Sequence, residues 1–168
     1  MKSRVSSTAL LDLNIFVALA WPAHEHHAAA QQWFLNRGRS KWASCPITQL
    51  GFLRLLSNPA FSPDALSVRQ ALELLIKNVN QPLHEFWTDT ISAPHGLKAF
   101  ADAATGHQQV TDAYLLSLAV RHRARLATLD RGLAEFARQA EIGAHVELVS
   151  PTPARVAVPT LWTGIGSR

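Results

Sequence analysis

The chain is poor in several things, and each shortage narrows what it can be. Cys45 is its one cysteine, so no internal disulfide is possible, which fits a reducing compartment. Charged residues make up only 17% of the sequence and no charge run or low-complexity tract stands out, which argues against a disordered polyelectrolyte. No apolar run approaches the ~20 residues that span a bilayer, so no membrane segment is expected. The opening MKSRVSS followed by TALLDLNIFVALAW faintly resembles a secretory leader. Asp12 and Asn14 interrupt its apolar stretch and no small-residue cleavage site comes after it, so a cytoplasmic location is expected. No GxGxxG follows the first apolar run and no GxxxxGK[ST] occurs, which argues against a nucleotide-binding α/β module. GxSxG is also absent, and Cys45 lies beside Pro46, so neither a serine nor a cysteine hydrolase is indicated.

What is present suits one folded domain. At 168 residues with 48% apolar composition, the chain is long enough to bury roughly 70% of its unfolded surface. The net charge is +4, and 12 of the 16 basic residues are arginine. The planar arginine fork suits phosphate, so a nucleic acid or another acidic partner is favoured. Residues 1–150 read as the domain. The remaining 151–168, broken by Pro151, Pro153, Pro159, Gly164 and Gly166, read as an irregular tail with Trp162 as its anchor.

Along the domain, apolar periodicity alternates between strand and helix. Thr8 to Leu11 reads as a strand buried on both faces, followed by a helix from Leu13 to Trp21 that Pro22 stops. His24 to Asn36 reads as a second helix, closed by Gly38. Trp42 to Cys45 is a strand candidate. Thr48 then caps a helix running to Leu56. Ser62-Pro63-Asp64 is a helix start signal, and Val68, Ala71, Leu72, Leu75 and Val79 form the core face of that helix. Leu83 to Trp87 is a strand, Asp89, Ser92 and Pro94 mark a turn, and Leu97 to Ala104 is a short helix with a solvated Asp102. Leu126 to Leu129 and His145 to Val149 complete the strands. Alternation of this kind predicts an α/β domain: a parallel sheet of four to five strands with helices on both faces.

The chemistry concentrates between Gln108 and Phe136. Asp112 opens a helix whose apolar face continues through Leu115, Leu116 and Ala119. Asp130 ends a strand and precedes a new helix. Asp12 is a third carboxylate at a strand end. In an open α/β sheet these positions converge at the carboxyl edge, where ligands bind. Two carboxylates ~5 Å apart repel by roughly 3 kcal/mol at an effective dielectric of 20, so one must protonate or a cation must join them. Taken singly, each aspartate is more simply a helix cap or a turn residue. Asn14 could hold the Asp12 side chain or cap the helix. The HEHH cluster places His24 and His27 at zinc-ligand spacing, but nothing nearby completes a site, and a solvated helix start is the better reading.

LLDLNIF around Asp12, PITQLGFLRLLSNP around Gln49, VTDAYLLSLA around Asp112 and ARLATLDRGLAEF around Asp130 succeed one another in an order and spacing that resembles the PIN-domain ribonucleases. It resembles closely the VapC-type toxins of bacterial toxin–antitoxin modules. The resemblance covers residues 9 to 149. It implies a PIN-like fold and a Mg²⁺-dependent (or Mn²⁺-dependent) endoribonuclease. It also implies an RNA substrate, a cognate antitoxin and a homodimer. Asp12, Asp112 and Asp130 match three of the family's four acids and would be the catalytic residues, with Asp12 and Asp112 as principal metal ligands. The fourth position, a glutamate in the family, is here Gln49. An amide oxygen can ligate magnesium or orient a water, but it carries no charge. Asn14, Thr111 and Thr128 are candidates to support the ligands, and Thr128 reads equally well as a strand former. Arg54, five residues beyond Gln49, could meet RNA phosphate or the antitoxin. The alternative reading is a degenerate PIN domain that binds RNA or a protein without cutting.

Overall fold

The structure, a computed structural model, describes residues 5–101, 106–107 and 109–150. The expected tail over 151–168, with Trp162, and Asp102 lie outside the described residues. Five strands form one sheet: β1 (Ala9–Leu11), β2 (Trp42–Ser44), β3 (His84–Phe86), β4 (Arg125–Thr128) and β5 (Val146–Leu148). All neighbouring pairs are parallel, in the order β3-β2-β1-β4-β5. The helices are α1 (Leu13–Ala20), α2 (His27–Asn36), α3 (Pro46–Leu56), α4 (Val68–Val79), α5 (Ala93–Leu97), α6 (Gln109–Arg121) and α7 (Arg131–Gln139). A short 3₁₀ turn, Gly143–His145, leads into β5.

The central strand carries side chains to both layers, which is why it reads as a continuous apolar run. Ala9 and Leu11 join Trp42 and Ala127 under α1, α2, α3 and α4. Leu10 joins Ala43 and Leu126 under α5, α6 and α7. In the first layer Phe16 and Phe52 stack at 4.6 Å between ring centroids, and Phe16 meets Trp42 edge-on at 6.0 Å. Each such pair adds about 0.5–1.5 kcal/mol beyond its burial. Together they fix α1 against α3.

The chain winds outward from β1 through β2 to β3, then returns to the other side of β1 for β4 and β5. The direction reverses between β1 and β4, so a crevice opens beyond their carboxyl ends. The helix α6 runs back toward the amino edge before β4, which leaves its own N-terminus beside that crevice.

Several boundaries differ from those the sequence suggests. The helix expected from Ser62 begins instead at Ser67, whose hydroxyl accepts from Gln70 N at 3.2 Å while the Gln70 Oε1 accepts from Ser67 N at 2.9 Å. This reciprocal box satisfies two free N–H groups where the Ser62 signal satisfies a turn, Asp64 N to Ser62 Oγ at 3.2 Å. Val68 and Leu72, expected on the core face, point outward, 65% and 44% exposed, because packing against α3 takes Ala71, Leu74 and Leu75 instead. Cys45, not Thr48, is the cap of α3. Thr48 is the third helical residue, and its hydroxyl accepts from Cys45 N at 3.1 Å. Pro46 occupies the first turn, where its missing N–H costs nothing. Pro94 does the same in α5, so the segment read as a turn is the helix, and α5 ends at Leu97 where a helix was expected to begin. His24 and His26 precede α2 in a turn, with His24 Nδ1 accepting from His26 N at 3.1 Å.

Candidate metal centre

Asp12 is the first residue after β1 and caps α1. It is 6% exposed, and both of its oxygens are held: Oδ1 accepts from Leu13 N at 2.7 Å and Oδ2 from the Thr128 hydroxyl at 2.7 Å. Thr128 ends β4 and is fully buried. Its oxygen also accepts from Asn14 Nδ2 at 3.2 Å and from Asp130 N at 3.0 Å. With two donors already arriving, the hydroxyl proton has one direction left, toward Asp12. Asn14 completes the bridge with its Oδ1, which accepts from Leu129 N at 3.1 Å. Of the two roles open to Asn14 from the sequence, the cap belongs to Asp12 itself, while Asn14 eases the Asp12 charge by a side-chain hydrogen bond and also ties α1 to the end of β4.

Asp130 caps α7, its Oδ1 accepting from Gly132 N at 2.6 Å and Leu133 N at 3.2 Å. Gly132 permits this close approach, since a β-carbon there would stand 3.1 Å from that oxygen. Asp112 lies in the first turn of α6, three residues inside its start rather than at the cap. The positive end of that helix favours its charged form. Among the described residues none donates a hydrogen bond to its carboxylate.

The three carboxylates feel one another. The Asp112 carboxyl is pushed up to about 6, by burial first and then by the charges of Asp12 and Asp130. The Asp12 carboxyl is raised by burial above all, with Asp130 adding to the rise and Thr128, Leu13 and Asn14 opposing it. No cationic side chain enters either balance. An all-oxygen donor set whose charge no cationic side chain among the described residues compensates fits a hard divalent cation.

Among the described residues no three acids, histidines or cysteines stand together as a ready cage. The His24 and His27 spacing likewise yields no site, and His27 Nδ1 lies 2.7 Å from the Ala18 carbonyl oxygen.

Gln49 departs furthest from expectation. Its Nε2 donates to Ser44 Oγ at 2.9 Å, and Ser44 Oγ lies 2.8 Å from His84 Nε2. Burial lowers the His84 pKa, and the imidazole also bonds the Val79 backbone. The neutral ring therefore accepts from Ser44, which accepts from Gln49. Neither Ser44 nor His84 stands out in the sequence. A serine ending a strand five residues before the glutamine is the available signal. Thr111 is exposed and Arg54 is exposed on α3; neither bonds an aspartate.

An open parallel sheet with acidic side chains beyond the carboxyl ends of its switch-point strands defines a class: an α/β domain that gathers carboxylates at the edge where such folds bind their ligands. The comparisons narrow the class. The PIN domain family model matches residues 9–139, and the chain belongs to that family. Ribonuclease VapC39 of Mycobacterium tuberculosis is 40% identical over 130 residues, 77% of this chain and 94% of the relative. Ribonuclease VapC38 of the same organism is 40% identical over 131 residues, 78% of this chain and 91% of the relative. Ribonuclease VapC44 is 40% identical over 126 residues, 75% and 88%. The PIN-like fold and the VapC resemblance read from the sequence are both borne out.

Proposed function

We propose that this protein is a metal-dependent endoribonuclease, the toxin of a toxin–antitoxin pair. The observation that carries the reading is the trio Asp12, Asp112 and Asp130, whose charge no cation among the described residues offsets, at the switch point of a PIN fold. The ribonuclease names of the VapC relatives support RNA as the substrate. Asp12 and Asp112 would hold Mg²⁺, or Mn²⁺, with Asp130 reaching it through water. When bound, the ion would polarise the scissile phosphate and lower the pKa of the attacking water. The protein's own groups do the rest. Thr128 and Leu13 hold Asp12 in one rotamer, so its orientation costs nothing at the moment of reaction. Asp130 keeps Oδ2 outside its capping bonds, where it can take the proton of a water. Arg54 on α3 is available to a backbone phosphate or to the acidic face of an antitoxin.

An apolar stripe of Val68, Leu72 and Ile76, exposed along α4, supports the homodimer that the family resemblance implies. A second reading, a degenerate domain that binds RNA without cutting, is favoured by one observation: the amide at position 49 is committed to Ser44 rather than to the acids.

One variant tests the proposal. Asp112→Asn keeps the fold, by circular dichroism, and lowers RNA cleavage in Mg²⁺ at least about a hundredfold, since charge stabilisation by the ion is worth several kcal/mol. Equal cleavage by the variant would reduce Asp112 to a helix-end residue. A wild type inert in both Mg²⁺ and Mn²⁺ that still binds RNA would establish the second reading.

A further inference from the structure

At the edge of the sheet opposite the acids, an open cavity of about 760 Å³ is bordered by Thr8, Arg39, Lys41, Glu85, Trp87 and His122. Its floor is a parallel stack: the Trp87 and His122 rings lie 3.9 Å apart and 3° from coplanar. Trp87 is fixed from beneath. It is 5% exposed, and its Nε1 donates to Glu85 Oε2 at 3.3 Å, while Glu85 Oε1 takes Lys41 Nζ at 2.6 Å. His122 is exposed. Its ring is held below its ordinary pKa by burial above all, Glu85 opposing and Arg121 adding, so it presents a neutral aromatic face.

The turn that delivers His122 is strained. At the end of α6, Arg123 N bonds Val120 O at 2.9 Å and Ala124 N bonds Ala119 O at 2.9 Å, a closure that puts Arg123 at φ 52. Glycine is the residue this position favours. An arginine is retained there, locked by Ser6 N on its carbonyl at 2.6 Å. Strain kept where a glycine would relieve it points to a use for the side chain. Among the described residues no carboxylate pairs with Arg39, Arg121 or Arg123, and all three are exposed.

We propose that His122, stacked on Trp87, with Arg39 bordering the same cavity and the exposed Arg123 next to it in the chain, is a second contact for RNA, taking one unpaired base on its ring and the adjoining phosphates on the arginines. This rests on the RNA reading above. Stacked aromatics and planar cations are the recognition chemistry of single-stranded RNA. The acids lie at the far ends of strands three or four residues long. A folded RNA can therefore meet both edges at once, and the contact selects substrates that carry an unpaired base at that separation from the cut.

The test uses the full-length protein without metal, where three uncompensated aspartates repel phosphate and leave the basic surface to report. Binding of a fluorescent twelve-residue oligoadenylate is followed by anisotropy. His122→Ala weakens it about tenfold, the value of one base–aromatic stack, and His122→Phe restores it. Arg123→Gly weakens it severalfold while Tm holds or rises, because glycine relieves the turn; a merely structural arginine would give neither loss. Arg69→Ala, an equal loss of charge on exposed α4 surface, leaves binding intact. A loss there as large as that of Arg123→Gly would mean bulk charge alone and would overturn the proposal. Wild-type affinity in both His122→Ala and Arg123→Gly overturns it too. So does inorganic phosphate that competes as well as adenosine monophosphate, which would leave only an anion patch. The two readings separate cleanly. Binding that depends on His122 in a protein that cuts no RNA sinks the nuclease reading and keeps this one. Cleavage that depends on Asp112, with binding indifferent to His122, does the reverse.

Discussion

Thr128 carries three hydrogen bonds on one hydroxyl, and two of them are taken up by incoming donors. A strand former alone would be replaced by valine without cost. Here Thr128→Val removes the donor to a buried carboxylate and the acceptor for Asn14 and Asp130 N. The expected loss is about 1–3 kcal/mol at pH 7.5 without metal. It shrinks as pH falls and the raised Asp12 carboxyl takes up a proton; urea denaturation at pH 7.5 and at successively lower pH measures it. Asp112 makes its own pH prediction. Its folded carboxyl sits at about 6 against an ordinary 3.8, so the folded state binds the proton more tightly. The stability this contributes is complete below 3.8 and is lost as pH rises through about 6. Asp112→Asn removes the dependence, so the metal-free variant gains on wild type across that window, by about 1–2 kcal/mol after solvent screening. Parallel stability–pH curves for the two proteins would contradict the coupling. The identities of these aspartates were legible because each stands at a strand or helix end, a position that local pattern reveals. Thr128 and Asn14 were legible as candidate supports, but which aspartate each serves was not: Asp12 and Thr128 are 116 residues apart, and only the pairing of β1 with β4 brings them together.

The helices show where local pattern misleads. Ser62-Pro63-Asp64 and Ser67-x-x-Gln70 are both start signals, and only the second has a reciprocal partner. Ser67→Ala should cost about 1 kcal/mol by thermal unfolding, and Ser62→Ala less than about half of that. Equal losses would mean that the turn contributes as much as the box. The exposed stripe of α4 lies opposite a core face set by contacts with α3, which no period in α4 alone reveals. Strands are more legible than caps, because three-residue strands buried on both faces leave a continuous apolar signal, whereas Cys45 as a cap leaves none. Asp112 stands three residues deeper in its helix than the pattern implies for the same kind of reason. Gln109 and Val110 already lie in the helix, but they precede its apolar face.

At the scale of the whole molecule, the fold of the metal-free protein carries a repulsion that a cation would remove, so metal and stability are linked. A protein that binds Mg²⁺ only when folded gains about 2.7 kcal/mol at a hundred times the Kd. For a domain of this size that raises Tm by roughly 5–10 °C. Gln49→Glu tests how far the fourth position matters. One added carboxylate ~5 Å from a divalent ion contributes roughly 6 kcal/mol of gross attraction at an effective dielectric of 20. Desolvation and the three aspartates cancel much of it, leaving a tenfold to hundredfold tightening, about 1.4–2.8 kcal/mol. The structure adds a condition. The wild-type amide donates to Ser44, which frees the Ser44 proton for His84. A carboxylate donates nothing and competes with His84 for that same proton. The metal-free variant should therefore be less stable than wild type, and its His84 should titrate at higher pH, visible in the imidazole resonances by NMR. Titrating Mg²⁺ against Tm and cleavage for both proteins distinguishes the cases. Superimposable Tm curves would confine Gln49 to its bond with Ser44. A tighter variant that alone cuts RNA would make the natural chain a binder that has lost its chemistry at one residue.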